Sequence, residues 1–316
     1  MRADNAKHLL SITDLGRDEI TSVLASAEGF EAISEREIKK VPTLRGRTVV
    51  NLFYEASTRT RVSFEIAAKR LSADVINVSA AASSIEKGES LRDTARTLRA
   101  LGADAIVLRH PAAGAPALLA RQTDACVVNA GDGAHEHPTQ GLIDLYTVQQ
   151  HFGRVEGLRI AIVGDIAHSR VARSGALGFR RMGADVVLVA PPTLLPLGID
   201  VLGCRTSYDL DAELDRLDVV YVLRMQRERH KEALLPSDRE FWEGYALTSR
   251  RLSRLRPEAV VMHAGPMNRG VEIDWDAAES GVSLIESQVS AGVAVRMALL
   301  YLLMGGQAAA GTEVAS

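Results

Sequence analysis

Short apolar runs alternating with helical segments constrain this chain more than any other feature of its sequence. The runs lie at 48–53, 75–78, 105–108 and 126–129, and again at 159–163, 185–190, 219–223 and 259–262. Each is short, rich in Val, Ile, Leu or Ala, and followed by turn residues, as expected for a strand buried on both faces. Helical segments at 58–71, 90–101, 113–121, 139–150 and 169–182 separate many of them. This βα alternation predicts an α/β fold of two domains, each a mostly parallel sheet flanked by helices. A length of 316 residues leaves room for two cores. The segment 139–150 is expected to join the domains. An amphipathic helix at 288–303 closes the chain, and Thr13-Asp14 is expected to cap a first helix reaching about residue 32. The small-residue stretch 305–316 has no pattern on which to fold and is expected to be disordered.

Ligands of parallel sheets sit beyond the carboxyl ends of the strands, and the unusual polar clusters of this chain follow strands. The first is Ser57-Thr58-Arg59-Thr60-Arg61, between the run 48–53 and the helix 58–71. A helix start offers unpaired N–H groups and partial positive charge, so it is already an anion site. Ser57 stands where an N-cap is wanted. Cations in a first turn oppose the helix dipole, so a merely structural reading must explain an unfavourable placement, whereas a phosphate ligand accounts for it. Any such site is local, because the formal net charge of −3 argues against a general nucleic-acid or anionic-membrane binder. Two cysteines are too few for a disulfide framework and suit a reducing cytoplasm. No signal-peptide core is evident, and no stretch reads as a membrane span.

The segment 79–90 lacks periodicity and reads as a loop, either a plain connection or one that lets Lys87, beside Gly88, reach an anion. Arg109-His110-Pro111 follows the third strand, either as a ligand contact or as an ordinary exposed pair. The stretch Asn129–Gln140 holds two glycines and His135-Glu136-His137-Pro138. Its His-x-His spacing alone is weak evidence for a metal, and no downstream set completes it. A neutral His137 with Gln140 suits an uncharged carbonyl or amide, although a structural histidine explains His137 too. Gly164-Asp165 lacks the full dinucleotide fingerprint, so no nicotinamide cofactor is expected. Arg170, Arg224 and Gln226 again follow strands. Singly each arginine reads as a surface residue, and together they suit a dicarboxylate. The segment 227–239 reads as a solvated loop, and His263-Ala264-Gly265-Pro266 as a turn presenting carbonyls.

Taken together the motifs closely resemble the aspartate/ornithine carbamoyltransferase family, on its aspartate branch. The resemblance covers nearly the whole chain. It rests on Phe53-x-Glu55-x-Ser57-Thr-Arg-Thr-Arg61-x-Ser-Phe-Glu65, Lys87-Gly-Glu89, Arg109-His-Pro111, His137-Pro-x-Gln140, Gly164-Asp165 with Arg170, and Arg224-x-Gln226. It implies a carbamoyl-phosphate-binding domain at 1–137, completed by the returning helix 288–304, and an aspartate-binding domain at 138–287. It implies transfer of the carbamoyl group to the amino group of L-aspartate in pyrimidine biosynthesis, with neither cofactor nor metal. Ser57, Thr58, Arg59, Thr60 and Arg109 are then expected on the phosphate. His137 and Gln140, with Thr60 and Arg109, are expected on the carbamoyl group, and Arg170, Arg224 and Gln226 on aspartate. Ser83 and Lys87 are expected from a neighbouring subunit of a homotrimer whose sites are shared, with higher assembly or regulatory partners left open. The turn at Ala264-Gly265 departs from the usual His-Pro-x-Pro but keeps its main-chain carbonyls, and its lack of cysteine favours aspartate over ornithine. Carbamoyl transfer to another amine, or a non-catalytic paralogue, are the competing readings.

Overall fold

A computed structural model describes residues 7–79, 89–230 and 233–305. The chain divides into two units, Met1–Tyr146 with Ala291–Ser316, and Thr147–Ser290. These divisions fall within two continuous helices, Pro138–Phe152 and Ile285–Leu300, nine and three residues after the expected boundaries at 137/138 and 287/288.

The first unit holds β1 (Thr48–Phe53), β2 (Asp74–Ser79), β3 (Ala105–His110) and β4 (Cys126–Asp132), in a parallel sheet of order β2-β1-β3-β4. Its helices are α1 (Arg17–Ser34), α2 (Thr58–Arg70), α3 (Leu91–Ala100), α4 (Ala115–Ala120) and the start of α5 (Pro138–Phe152). Val50, Leu52, Ile106, Leu108 and Val127 form one core with Ala95, Leu98 and Leu119 of the helices covering that face. Each such fully buried aliphatic side chain contributes roughly 1.5–3 kcal/mol. The edge strand β2 is different, with Ile76 left 48% exposed.

The second unit holds β5 (Arg159–Val163), β6 (Asp185–Val189), β7 (Arg205–Ser207), β8 (Val219–Val222) and β9 (Val260–Met262), again parallel, in the order β7-β6-β5-β8-β9. Around it lie α6 (Arg170–Arg181), α7 (Asp238–Tyr245), α8 (Ser249–Leu252), α9 (Trp275–Ala278) and the start of α10 (Ile285–Leu300). Val163, Val189, Val222 and Val261 pack with Leu214, Leu247 and Ile273.

Some expectations are corrected. Thr13-Asp14 does not cap α1. Ser11 caps a short 3-10 turn, Ile12–Asp14, and the Asp14 carboxylate accepts from the Leu10 and Ser11 peptide N–H groups, so the helix begins at Arg17 behind Gly16. The segment 227–239 is not wholly irregular: a 3-10 turn spans Arg227–Arg229, and α7 begins at Asp238. Gly305 ends a π-helical turn, Tyr301–Gly305, and the remainder of the expected tail lies outside the described residues. The helical stretch Ile285–Gly305 is long and apolar enough to cross a membrane by length and composition, contrary to the sequence reading. It is nonetheless a core element, with 67% of its most apolar 18 residues buried. Within the first unit Tyr301 meets Phe30 edge-on at 5.7 Å, so the closing helix does return to that unit.

Candidate active site

In the first unit the chain winds outward from β1 to β2, then crosses back to β3 and on to β4. The winding therefore reverses between β1 and β3, and the loops leaving their carboxyl ends part there, opening a crevice. Register aligns the two ends: Phe53 pairs with Arg109, and the Tyr54 N–H donates to the Arg109 carbonyl at 2.9 Å. The helix-start cluster on one side and Arg109 on the other thus arrive at neighbouring strand ends.

Ser57 occupies the N-cap position of α2, but its hydroxyl makes no cap hydrogen bond. Thr58 and Arg59 are exposed on the first turn, while Thr60 is buried at 7% exposure. A cavity of about 260 Å³ lies against this turn, lined by Glu55, Ser57, Thr58, Arg61 and Ser79 among others. Arg61, outside the expected contact set, faces that cavity. The Arg109 Nε donates to Glu55 Oε2 at 3.2 Å, with both side chains mostly shielded. Glu55 is thus a positioning group that the sequence reading placed in the motif without a role.

Arg296, on α10, is a second such group. It is 4% exposed, its Nη1 donates to the Ser63 Oγ at 2.6 Å, and its guanidinium lies over the Phe64 ring at 4.8 Å. Burial first, then the charge of Arg109, pushes it down to about 9, so it stays protonated at neutral pH. Its signal in the sequence was a lone arginine within the apolar stretch 291–300.

The connection from β4 to α5 is organised by Asp132, 1% exposed. It accepts from the Asn129 side chain at 2.9 Å and from the Gly114 and Glu136 N–H groups at 2.8 and 3.1 Å, and it pairs with His135 at 3.1 Å. Burial raises its carboxyl, but the bonds from His135, Asn129 and Gly114 outweigh burial and hold it below the usual range. Gly133 is required here: at φ +53° an added Cβ would lie 2.8 Å from the Pro111 carbonyl oxygen. Glu136 turns the other way, accepting from the Ser11 hydroxyl and from the Ile12 N–H at 2.9 Å. His135 and His137 therefore do not act as a pair. His137, 4% exposed, has its Nδ1 3.3 Å from the Thr139 hydroxyl, and the Gln140 amide donates to Asp144 at 2.8 Å. Ser83 and Lys87 lie outside the described residues.

In the second unit the winding reverses between β5 and β8. Gly164 leaves β5 at φ +126°, where a Cβ would lie 3.1 Å from the Leu223 carbonyl oxygen, so the two strand ends approach this closely only with glycine. Arg170 is the first residue of α6 and 5% exposed, behind Ser169, whose hydroxyl caps the helix. Arg224 donates through Nη2 to the Gln226 side chain at 2.9 Å and pairs with Glu228 through the same nitrogen. The Glu228 carboxylate thus stands on Arg224 where a ligand carboxylate would. Burial raises Glu228, and its hydrogen bonds and the charges of Arg224 and Arg229 bring it lower on balance. After β9 the turn Ala264–Gly265 is fixed by the Gly265 N–H donating to His263 Nδ1 at 2.8 Å, and the Gly265–Pro266 peptide is cis. Fully buried Glu272 accepts from the Asn268 N–H at 2.5 Å and from the Met225 N–H at 3.5 Å, and lies 3.3 Å from His263 Nε2. It binds the β8 and β9 turns together, and no local pattern announced it.

Chemically, the first unit offers a helix-start anion site with the Arg109 guanidinium at the adjoining strand end and a buried imidazole at His137, and the second offers two arginines, Arg170 and Arg224, on the segments that follow β5 and β8. Residues 7–150 match the model of the aspartate/ornithine carbamoyltransferase carbamoyl-P binding domain, and residues 156–303 that of the Asp/Orn binding domain. The chain is 59% identical over 300 residues to the aspartate carbamoyltransferase catalytic subunit of Thermobifida fusca, covering 95% of this chain and 96% of that one. Its fold matches Trypanosoma cruzi aspartate transcarbamoylase in complex with carbamoyl phosphate and aspartate, with a TM-score of 0.86 at 29% identity over 94% of this chain and 96% of that one. It matches the catalytic subunit of M. jannaschii aspartate transcarbamoylase with a TM-score of 0.83 at 36% identity, over 96% and 99%.

Proposed function

This chain belongs to the aspartate/ornithine carbamoyltransferase family, and from that membership we propose how its own residues serve the reaction. It is an enzyme that transfers the carbamoyl group of carbamoyl phosphate to the amino group of L-aspartate, giving N-carbamoyl-L-aspartate and phosphate. The arrival of the Ser57–Thr60 helix start and Arg109 at adjoining ends of β1 and β3 carries the assignment of the donor site.

Carbamoyl phosphate already bears a good leaving group, so no covalent nucleophile is needed. The work is positioning, and stabilising charge on the carbonyl oxygen and the departing phosphate. Ser57, Thr58, Arg59 and the α2 N-terminus take the phosphate, aided by Ser83 and Lys87 of a neighbouring subunit. Thr60, Arg109 and His137 face the carbonyl oxygen, and Gln140 the carbamoyl amide. Arg170, Arg224 and Gln226 hold the aspartate carboxylates, with the Ala264 and Gly265 carbonyls toward its ammonium. Glu228 must leave Arg224 as aspartate binds. The departing phosphate itself takes the ammonium proton.

A homotrimer with shared sites completes the proposal. Ile76 on the edge strand β2, with Val62 and Ile66 on α2, leaves exposed apolar surface that supports a subunit contact there. Cytoplasmic residence is proposed on the two free thiols, Cys126 and Cys204. The deciding assay supplies carbamoyl phosphate with L-aspartate or L-ornithine and measures both carbamoylated products. Carbamoyl-aspartate is expected; citrulline alone, or neither product, overturns the reading.

A further inference from the structure

The turns leaving β5 and β8 gather a group given no role in the transfer above: Asp165, His168 and His230. Asp165 is fully buried. Its Oδ1 lies 2.7 Å from the Nδ1 of His168, and its Oδ2 lies 2.8 Å from the Nε2 of His230. The two imidazole rings sit side by side, centroids 4.7 Å apart. One donor atom from each residue can be chosen so that all three lie within 4.8 Å of one another. Among the described residues no other group of His, Cys, Asp or Glu meets that condition.

We propose that Asp165, His168 and His230 form a binding site for a divalent transition metal such as zinc or cobalt. Two imidazole nitrogens and one carboxylate oxygen suit such ions, whereas calcium and magnesium seek more oxygen ligands. A tetrahedral ion with bonds of about 2.0–2.2 Å sets its ligands roughly 3.4 Å apart, so a small ring movement converts the hydrogen-bonded cluster into a chelate. The carboxylate is already oriented, since the N–H groups of His168 and Gln226 each donate to it at 3.2 Å. The His168 backbone is held in turn by Arg229, whose Nη1 donates to its carbonyl at 2.7 Å. The imidazole side chains are 24% and 14% exposed, which leaves an entry path and room for water as a further ligand.

The proton balance is simple. A neutral imidazole that donates its N–H to Asp165 shifts that proton to its other ring nitrogen when the metal takes its place, and an imidazolium releases one proton to solvent. The nearby Arg229 guanidinium opposes a cation, so the site binds more weakly than a structural zinc centre. Its occupation would tie the turn that carries Arg224 and Gln226 to the end of β5.

The test uses the full chain stripped with a chelator and titrated with cobalt(II). One equivalent is expected to give the visible bands of a tetrahedral or five-coordinate ion, which zinc then bleaches by displacement. His230→Gln and His168→Gln should each weaken binding by at least about tenfold. His151→Ala, removing an exposed histidine elsewhere, should leave it unchanged. Circular dichroism checks that each variant folds. X-ray absorption on the cobalt-loaded unmutated protein, expected to report two imidazole ligands, needs no variant. Failure to bind in excess cobalt, equal binding by the His230 and His168 variants, or an absorption spectrum without imidazole overturns the proposal. Because no substrate enters the test, its outcome is independent of the carbamoyl-transfer reading.

Discussion

Arg59 and Arg109 illustrate two ways an arginine reaches an anion. Arg59 stands exposed on the first turn of α2, where the helix N-terminus already draws negative charge. Its removal should cost little stability, within roughly 0.5 kcal/mol, because the side chain is exposed at the surface. Arg59→Ala should nevertheless lower kcat by about a hundredfold or more, as for loss of a donor aimed at transition-state charge. Near-normal turnover in steady-state kinetics would remove Arg59 from the phosphate site. Arg109 is shielded and steered by Glu55 through Nε. Glu55→Ala should lower kcat/KM for carbamoyl phosphate by roughly tenfold, and Glu55→Gln should restore part of that loss, because an amide oxygen still accepts from Nε. The arginine and its motif were legible in the sequence. The pairing was not, since Glu55 and Arg109 stand 54 positions apart and meet only because β1 and β3 are neighbours.

At the scale of elements, long apolar runs and strongly periodic helices were legible, and short or polar ones were not. The three-residue strand β7, Arg-Thr-Ser, has no apolar signal and exists because β6 offers an edge to pair with. The helix α7 begins at Asp238, inside the charge-dense segment 227–239 that reads as solvated loop, and buries Phe241 just beyond it. The β4–α5 connection carries a pH prediction. The Asp132 carboxyl is held below its ordinary value, so its contribution to stability is complete above the ordinary carboxylate range and is lost as pH falls through the lowered folded value. Denaturant midpoints measured against pH should therefore fall on the acid side for the native chain. Asp132→Asn should be less stable at neutral pH and show a shallower acid decline. Parallel curves for the two proteins would contradict that linkage.

At the scale of the whole molecule, the proposed trimer makes a prediction that no single chain can satisfy. Lys87→Ala and Arg59→Ala chains, each strongly impaired alone, should recover part of the activity when dissociated and reassembled together, because some hybrid sites draw both native residues from different chains. No recovery in verified hybrids would place each site within one chain. By itself the sequence determined the local apparatus: which runs become strands, where helices start, and which hydroxyls, guanidiniums and imidazoles leave a strand's carboxyl end. These follow from periodicity and turn chemistry within a dozen residues. Only the tertiary structure decided the strand orders β2-β1-β3-β4 and β7-β6-β5-β8-β9, which make the loops after β1 and β3, and after β5 and β8, neighbours. It also decided that Glu55 steers Arg109, that Arg296 lies under α2, and that Asp165 holds two histidines. Strand order and buried pairing join residues remote along the chain, and their energy appears only once the sheets have packed.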